Sequence, residues 1–192
     1  MNLTVYCASS NRISDVYVQA AAELGELIGR DRHTLVYGGG RVGLMGVVAR
    51  AVHEHGGRVF GVIPKALRAL EGVAYEVADD LVETQTMQER KALMFNLAHA
   101  FIVLPGGYGT LEELMEVLTL KQLGYHEKAL VLVNTAAFFD PLLQLFEHFY
   151  AERFVSRSTR ELFHVVSTPA EAMRYVVDYS PPPRGAGAAR WE

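Results

Sequence analysis

The chain has 192 residues, a net charge of −4, 50% hydrophobic and 21% charged residues, and a single cysteine. That length suits one domain with a self-sufficient core, expected over residues 1–180, and interspersed acids and bases argue against general nucleic-acid binding. No run approaches ~20 apolar residues, the N-terminus has no basic leader before an apolar region, and lone Cys7 fits a reducing compartment, so a soluble cytoplasmic protein is expected.

In chain order, Leu3 to Cys7 reads as a first strand and Ala8 to Asn11 as a polar turn. Helical spacing runs from Asp15 to Gly29, and Thr34 to Tyr37 is a second strand. A glycine loop, Gly38 to Gly43, precedes a helix from Leu44 to about His55; Arg58 to Ile63 is a third strand, stopped by Pro64. The stretch from Lys65 to Glu83 has no clear pattern. Thr86-Met87-Gln88-Glu89 is a capping-box sequence that opens a helix to about His99. A buried strand, Phe101 to Leu104, is followed by a helix from Leu111 to Leu123, a strand from Ala129 to Val133 and a helix from Phe138 to Tyr150. His164 to Val166 and Pro169 to about Val177 give a last strand and helix; residues 181–192, rich in proline and glycine, are expected to be mobile. Alternating strands and helices predict a Rossmann-like, doubly wound α/β fold, its mostly parallel sheet covered by helices on both faces.

The rest is organised around FIVLPGGYGTLEE, Phe101 to Glu113. Pro105 ends the strand, and Gly106, Gly107 and Gly109 let the backbone turn sharply and a ligand approach. Thr110 and Glu113 match a second T-x-x-E capping box. Strand, glycine loop and helix start together make an anion site, with phosphate the natural guest.

Gly38, Gly40 and Gly43, with Gly39 between them, match G-x-G-x-x-G between a strand and a helix. A dinucleotide site also needs an acid near the end of the next strand, where Gly61-Val62-Ile63-Pro64 stands. A P-loop needs a lysine that PGGYGTLEE lacks. Two glycine loops on one sheet edge therefore suit a compact nucleotide, and Ser9 and Ser10 are candidate contacts.

Arg90 and Lys91 lie near a helix start, where the dipole prefers acids, so they are candidates for holding an anion. Arg90 is the stronger, because its planar fork grips phosphate or carboxylate with two bonds. Glu113 reads either as a capping acid or as a chemical group beside the phosphate loop; on spacing alone Glu112 and Glu116 serve as well. His53-Glu54-His55 reads as solvated surface, and Cys7 as buried packing. The helix after Thr110 is apolar around more than one stripe, so a second copy of the chain is expected to cover it.

These residues resemble the Lonely Guy family of cytokinin-riboside 5′-monophosphate phosphoribohydrolases, whose hallmark PGGxGTxxE appears here as Pro105 to Glu113. VYCASS, LVYGGGRVGLMG, GVIP, Met87 to Lys91 and QLGYHEKA agree as well, over about Leu3 to Thr168. The family commonly has histidine at position 88 and aspartate at position 99, where this chain has Gln88 and His99. The resemblance implies hydrolysis of the N-glycosidic bond of AMP or N6-substituted AMP, with Arg90 and Glu113 catalytic. It places phosphate at Gly107, Gly109 and Thr110 with Lys91 near, makes Met87 a candidate for base selectivity, and implies a homodimer with no cofactor or metal. Relatives with this fold that sense nucleotides or carry cofactors without turnover are the competing reading. The label lysine decarboxylase, which family members have often carried, finds no support, since no pyridoxal Schiff-base motif surrounds Lys65, Lys91, Lys121 or Lys128.

Overall fold

In a computed structural model, residues 1–70 and 74–181 are described. Strands β1 (Asn2–Tyr6), β2 (Thr34–Tyr37), β3 (Arg58–Pro64), β4 (Asp80–Thr84), β5 (Ala100–Val103), β6 (Ala129–Val133) and β7 (His164–Val166) form one sheet, ordered β4-β3-β2-β1-β5-β6-β7. Every strand pairing in it is parallel. The helices between them are α1 (Asp15–Arg30), α2 (Gly43–Glu54), the short α3 (Lys65–Arg68), α4 (Met87–Leu97), α5 (Tyr108–Gln122), α6 (Asp140–Ala151) and α7 (Pro169–Asp178).

Successive strand residues point to opposite faces, and because helices cover both faces the central strands are buried throughout. Leu3, Val5, Ile102, Leu104 and Val131 point to a core closed by Leu24 and Ile28 of α1, Val48 and Val52 of α2, and Met173 and Val176 of α7. Tyr6, Phe101, Val103, Leu130 and Leu132 point the other way, to Met94 of α4 and Leu114 and Val117 of α5. The doubly wound fold is as expected.

Three local expectations need correction. Pro64 does not stop β3 but is its last residue, in register with Thr84 of β4; a strand end tolerates a residue without an N–H. The unassigned stretch contains α3 and β4, whose Asp80 and Glu83 suit an exposed edge. The third correction concerns α5. It starts at Tyr108, with Gly107 as N-cap and no capping side chain, so Thr110 is inside the first turn and the expected Thr110–Glu113 capping box does not form. The Thr86 box does cap α4: Thr86 Oγ1 accepts from the Glu89 amide at 3.1 Å. Of the tail expected to be mobile, residues 182–192 lie outside the described residues, as does Gly72.

Candidate active site

The connection from β4 through α4 crosses the sheet to β5, so the order in which strands are added reverses between β1 and β5, which remain parallel. In parallel sheets this is where loops part and ligands bind. Strand β1 runs into Cys7 and Ala8, β5 into Pro105; the Tyr6 carbonyl accepts from the Leu104 amide at 2.9 Å, and the Ala8 amide donates to the Pro105 carbonyl at 3.1 Å. The two loops are thus pinned before they diverge. A cleft of about 600 Å³ opens there.

At one end lies the start of α5. Its first bond runs from the Leu111 amide to the Gly107 carbonyl at 3.0 Å, so the amides of Tyr108, Gly109 and Thr110 precede the helical ladder. A Cβ on Gly107 or Gly109 would meet nothing within 4 Å, so neither fold packing nor a positive φ requires glycine at either position. Both glycines line the cleft. Gly106 differs: a Cβ there would lie 2.1 Å from Thr110 Oγ1, so it makes room for the buried threonine.

At the centre, Arg90 Nη1 donates to Glu113 Oε1 over 2.7 Å. Arg90 is 8% exposed and Glu113 7%, although the first sits on α4 and the second on α5. Arg90 Nε also donates to the Val62 carbonyl at the end of β3, at 3.2 Å, which fixes the guanidinium plane. Burial raises the Glu113 carboxyl above its ordinary range, and the Arg90 charge and hydrogen bond offset part of that rise. A buried carboxylate oriented by a buried arginine, with its pKa pushed upward, is a strong candidate for proton chemistry. Tyr6 and Cys7 line the same cleft, both held protonated chiefly by burial and secondarily by Glu113. Cys7 is therefore a poor nucleophile.

Of the residues singled out from the sequence, Ser9, Gly38, Gly40, Met87, Arg90, Gly107, Gly109, Thr110 and Glu113 line this one cleft. Glu112 lines it too, whereas Ser10, Gly39, Gly43, Lys91, Gly106 and Glu116 do not. The Gly43 amide donates to Asn11 Oδ1 at 2.7 Å, and the Leu44 and Met45 amides both point at the Ala8 carbonyl at 2.9 and 3.4 Å. The start of α2 is thereby spent on the loop after β1, which leaves GGGRVG as a close-packed turn instead of an anion cradle. Gly43 is required there: its φ is +61° and a Cβ would lie 2.5 Å from the Ser9 carbonyl carbon. Gly39, at φ +73°, gives its carbonyl to the Tyr75 amide at 2.9 Å. Lys91 turns to Glu112 and Glu116 of α5.

Some contributors were not visible in the sequence. Asn11 caps Gly43, Val62 holds Arg90 through a backbone carbonyl that no side-chain pattern reveals, and Leu67 and Leu70 line the cleft mouth. His53, read as solvated, bonds instead to Tyr75 Oη at 3.0 Å and Asp79 Oδ2 at 2.9 Å. His99 accepts from the Asn2 amide at 2.7 Å where β5 begins, at the sheet end opposite the cleft. Among the described residues, no lysine lines the cleft.

A switch-point cleft with a helix start at one end and a buried Arg–Glu pair at its centre defines an α/β protein built for small anionic ligands. A family model described as possible lysine decarboxylase matches residues 45–176. A probable cytokinin riboside 5′-monophosphate phosphoribohydrolase of Oryza sativa subsp. japonica is 44% identical over 178 residues, covering 92% of this chain and 72% of that protein. A cytokinin riboside 5′-monophosphate phosphoribohydrolase of Arabidopsis thaliana is 42% identical over 180 residues, covering 93% of this chain and 83% of that protein. The chain belongs to this phosphoribohydrolase family, the Lonely Guy family. Among solved structures, a molybdenum cofactor binding protein from Rippkaea orientalis shares the fold at TM-score 0.69 and 19% identity, over 92% of this chain and 94% of that one.

Proposed function

We propose that the cleft binds N6-substituted AMP or AMP and hydrolyses its N-glycosidic bond, giving free base and ribose 5-phosphate. The enzyme class, a nucleoside 5′-monophosphate phosphoribohydrolase, follows from family membership at 40–44% identity. The observation that carries the mechanism is the buried 2.7 Å pair of Arg90 and Glu113 beside the start of α5.

In this reading the 5′-phosphate sits on the amides of Tyr108, Gly109 and Thr110, which puts the ribose over Glu113. As the base leaves, C1′ gains oxocarbenium character. The Glu113 carboxylate stabilises that charge, orients a water on C1′ and takes its proton, while the departing base nitrogen gains a proton from solvent. Arg90 keeps the carboxylate aimed and ionised within an apolar wall; the pair is worth more for this than for stability, because burying both charges offsets most of their attraction. Met87, Leu67 and Leu70 form the apolar mouth opposite the glycine loop and suit a substituted purine.

A second copy of the chain is the proposed cover for an apolar groove between α5 and α6. Met115, Leu118, Phe146 and Phe149 line it, and Phe154 stands exposed near its end. A charge at Leu118 is expected to split the dimer, whereas sizing that shows an unchanged dimer would remove that position from the interface.

The test of substrate is incubation with AMP and with N6-isopentenyl-AMP, following free base by chromatography. Release from either supports hydrolysis, and faster release from the isopentenyl nucleotide supports cytokinin activation. Tight AMP binding without any base would favour a nucleotide sensor or carrier.

A further inference from the structure

Lys91 lies next to Arg90 on α4, yet its ammonium does not enter the cleft. Its side chain is largely buried, 12% exposed, and it contacts two carboxylates of α5: Glu112, and Glu116 at 3.3 Å. Those two residues are four apart and share one face of α5, flanking Glu113. Helices α4 and α5 are therefore joined by two neighbouring rungs, Arg90 to Glu113 and Lys91 to Glu112 and Glu116, of which Glu112 also reaches the cleft.

We propose that Lys91 is a positioning residue that neutralises Glu112 and Glu116 and so keeps the neighbouring Glu113 ionised and in reach of Arg90. The inference rests on the reading of Glu113 as the catalytic carboxylate. Three carboxylates within five residues of one helix repel each other, and burial of the middle one raises its pKa. Arg90 faces Glu113 from α4, Lys91 faces its two neighbours from the same helix, and Tyr6 and Cys7 face it from the end of β1 without charge. The Lys91 charge favours the ionised form of Glu113 and that of Glu112 opposes it. Removing the ammonium leaves both flanking charges unopposed. This assigns Lys91 a task other than holding the substrate phosphate.

The two assignments separate in one experiment. Glu113 is titrated through the carbon-13 shift of labelled glutamate carboxyls, assigned with Glu113→Gln, in the wild type, Lys91→Met, Lys91→Arg and Lys91→Met/Glu112→Gln/Glu116→Gln. The expected result is a Glu113 midpoint about one pH unit higher in Lys91→Met. It returns toward the wild-type value in Lys91→Arg and in the triple variant, which lacks the lysine but also lacks the charges it screens. An unchanged midpoint in Lys91→Met, or no return in the triple variant, overturns the proposal. So does a tenfold or greater loss of ribose 5-phosphate affinity in Lys91→Met at a pH where Glu113 is ionised. The titration needs no turnover, so a wild type that releases no base would count against the proposed reaction and not against this role of Lys91.

Discussion

The guanidinium of Arg90 occupies the space that a side chain at position 38 would need: a Cβ built on Gly38 lies 2.0 Å from Arg90 Nη2. Gly38 therefore makes room for the arginine. Gly38→Ala is expected to displace Arg90 from Glu113 and lower kcat at least tenfold, with the melting temperature falling by only a few degrees. A steady-state rate close to wild type would show that Arg90 has slack the geometry does not suggest.

Gly107 and Gly109 give the opposite expectation. Neither site has protein within 4 Å of a new Cβ, so Gly107→Ala and Gly109→Ala should fold with little change in melting temperature. The methyl group would stand between the phosphate and the α5 amides. A rise in KM of tenfold or more for AMP, read against ribose 5-phosphate affinity by calorimetry, is the expected outcome; an unchanged KM would move the phosphate elsewhere.

In the proposed reaction, Glu113 is expected to set an acid limb on the rate. Burial raises its carboxyl above the ordinary value, so kcat/KM should fall with acid at a midpoint above the usual glutamate range. The sign for stability is the reverse. The folded state holds this proton more tightly than the unfolded chain, so the contribution of Glu113 to stability declines as pH rises through the window between its unfolded and folded values. In Glu113→Gln both dependences should vanish together.

His126 works in the other direction. Its Nε2 bonds the Val117 carbonyl at 2.9 Å and its Nδ1 accepts from the Lys128 amide at 3.2 Å, an arrangement that needs the neutral ring. Burial lowers its pKa to about 4. The folded protein then resists protonation that the unfolded chain accepts near 6.5, so stability is full above that pH and is lost as pH falls toward 4. The loss is on the order of 3 kcal/mol. Chemical denaturation of His126→Gln between pH 7 and 4 should show a markedly shallower decline; an identical slope would assign the acid sensitivity to other groups.

How far the sequence reaches can be seen from individual elements. Thr34–Tyr37 and His164–Val166 match their strands because short apolar runs with clear boundaries leave little choice. Asp80–Thr84 was missed because an edge strand carries charges and shows no alternation to read. Thr110 and Glu113 misled for a different reason: T-x-x-E spacing is equally met by two residues inside a helix, and only the extended backbone at Gly107 shows where α5 begins. The family resemblance paired Arg90 with Glu113, but residue chemistry alone offered each separately, because their contact joins two helices across 23 positions, which no local pattern encodes. The same holds for Lys91, whose charge was legible and whose partners were not.

In the proposed reaction Glu113 performs chemistry on a nucleotide held at the start of α5. Base release from AMP and N6-isopentenyl-AMP in the wild type and in Glu113→Gln, with AMP affinity measured on both, decides whether it does. The expected result is a rate about 10²–10⁴-fold lower in the variant, as for loss of a general base, with AMP still bound. A variant that releases base at the wild-type rate would contradict the account.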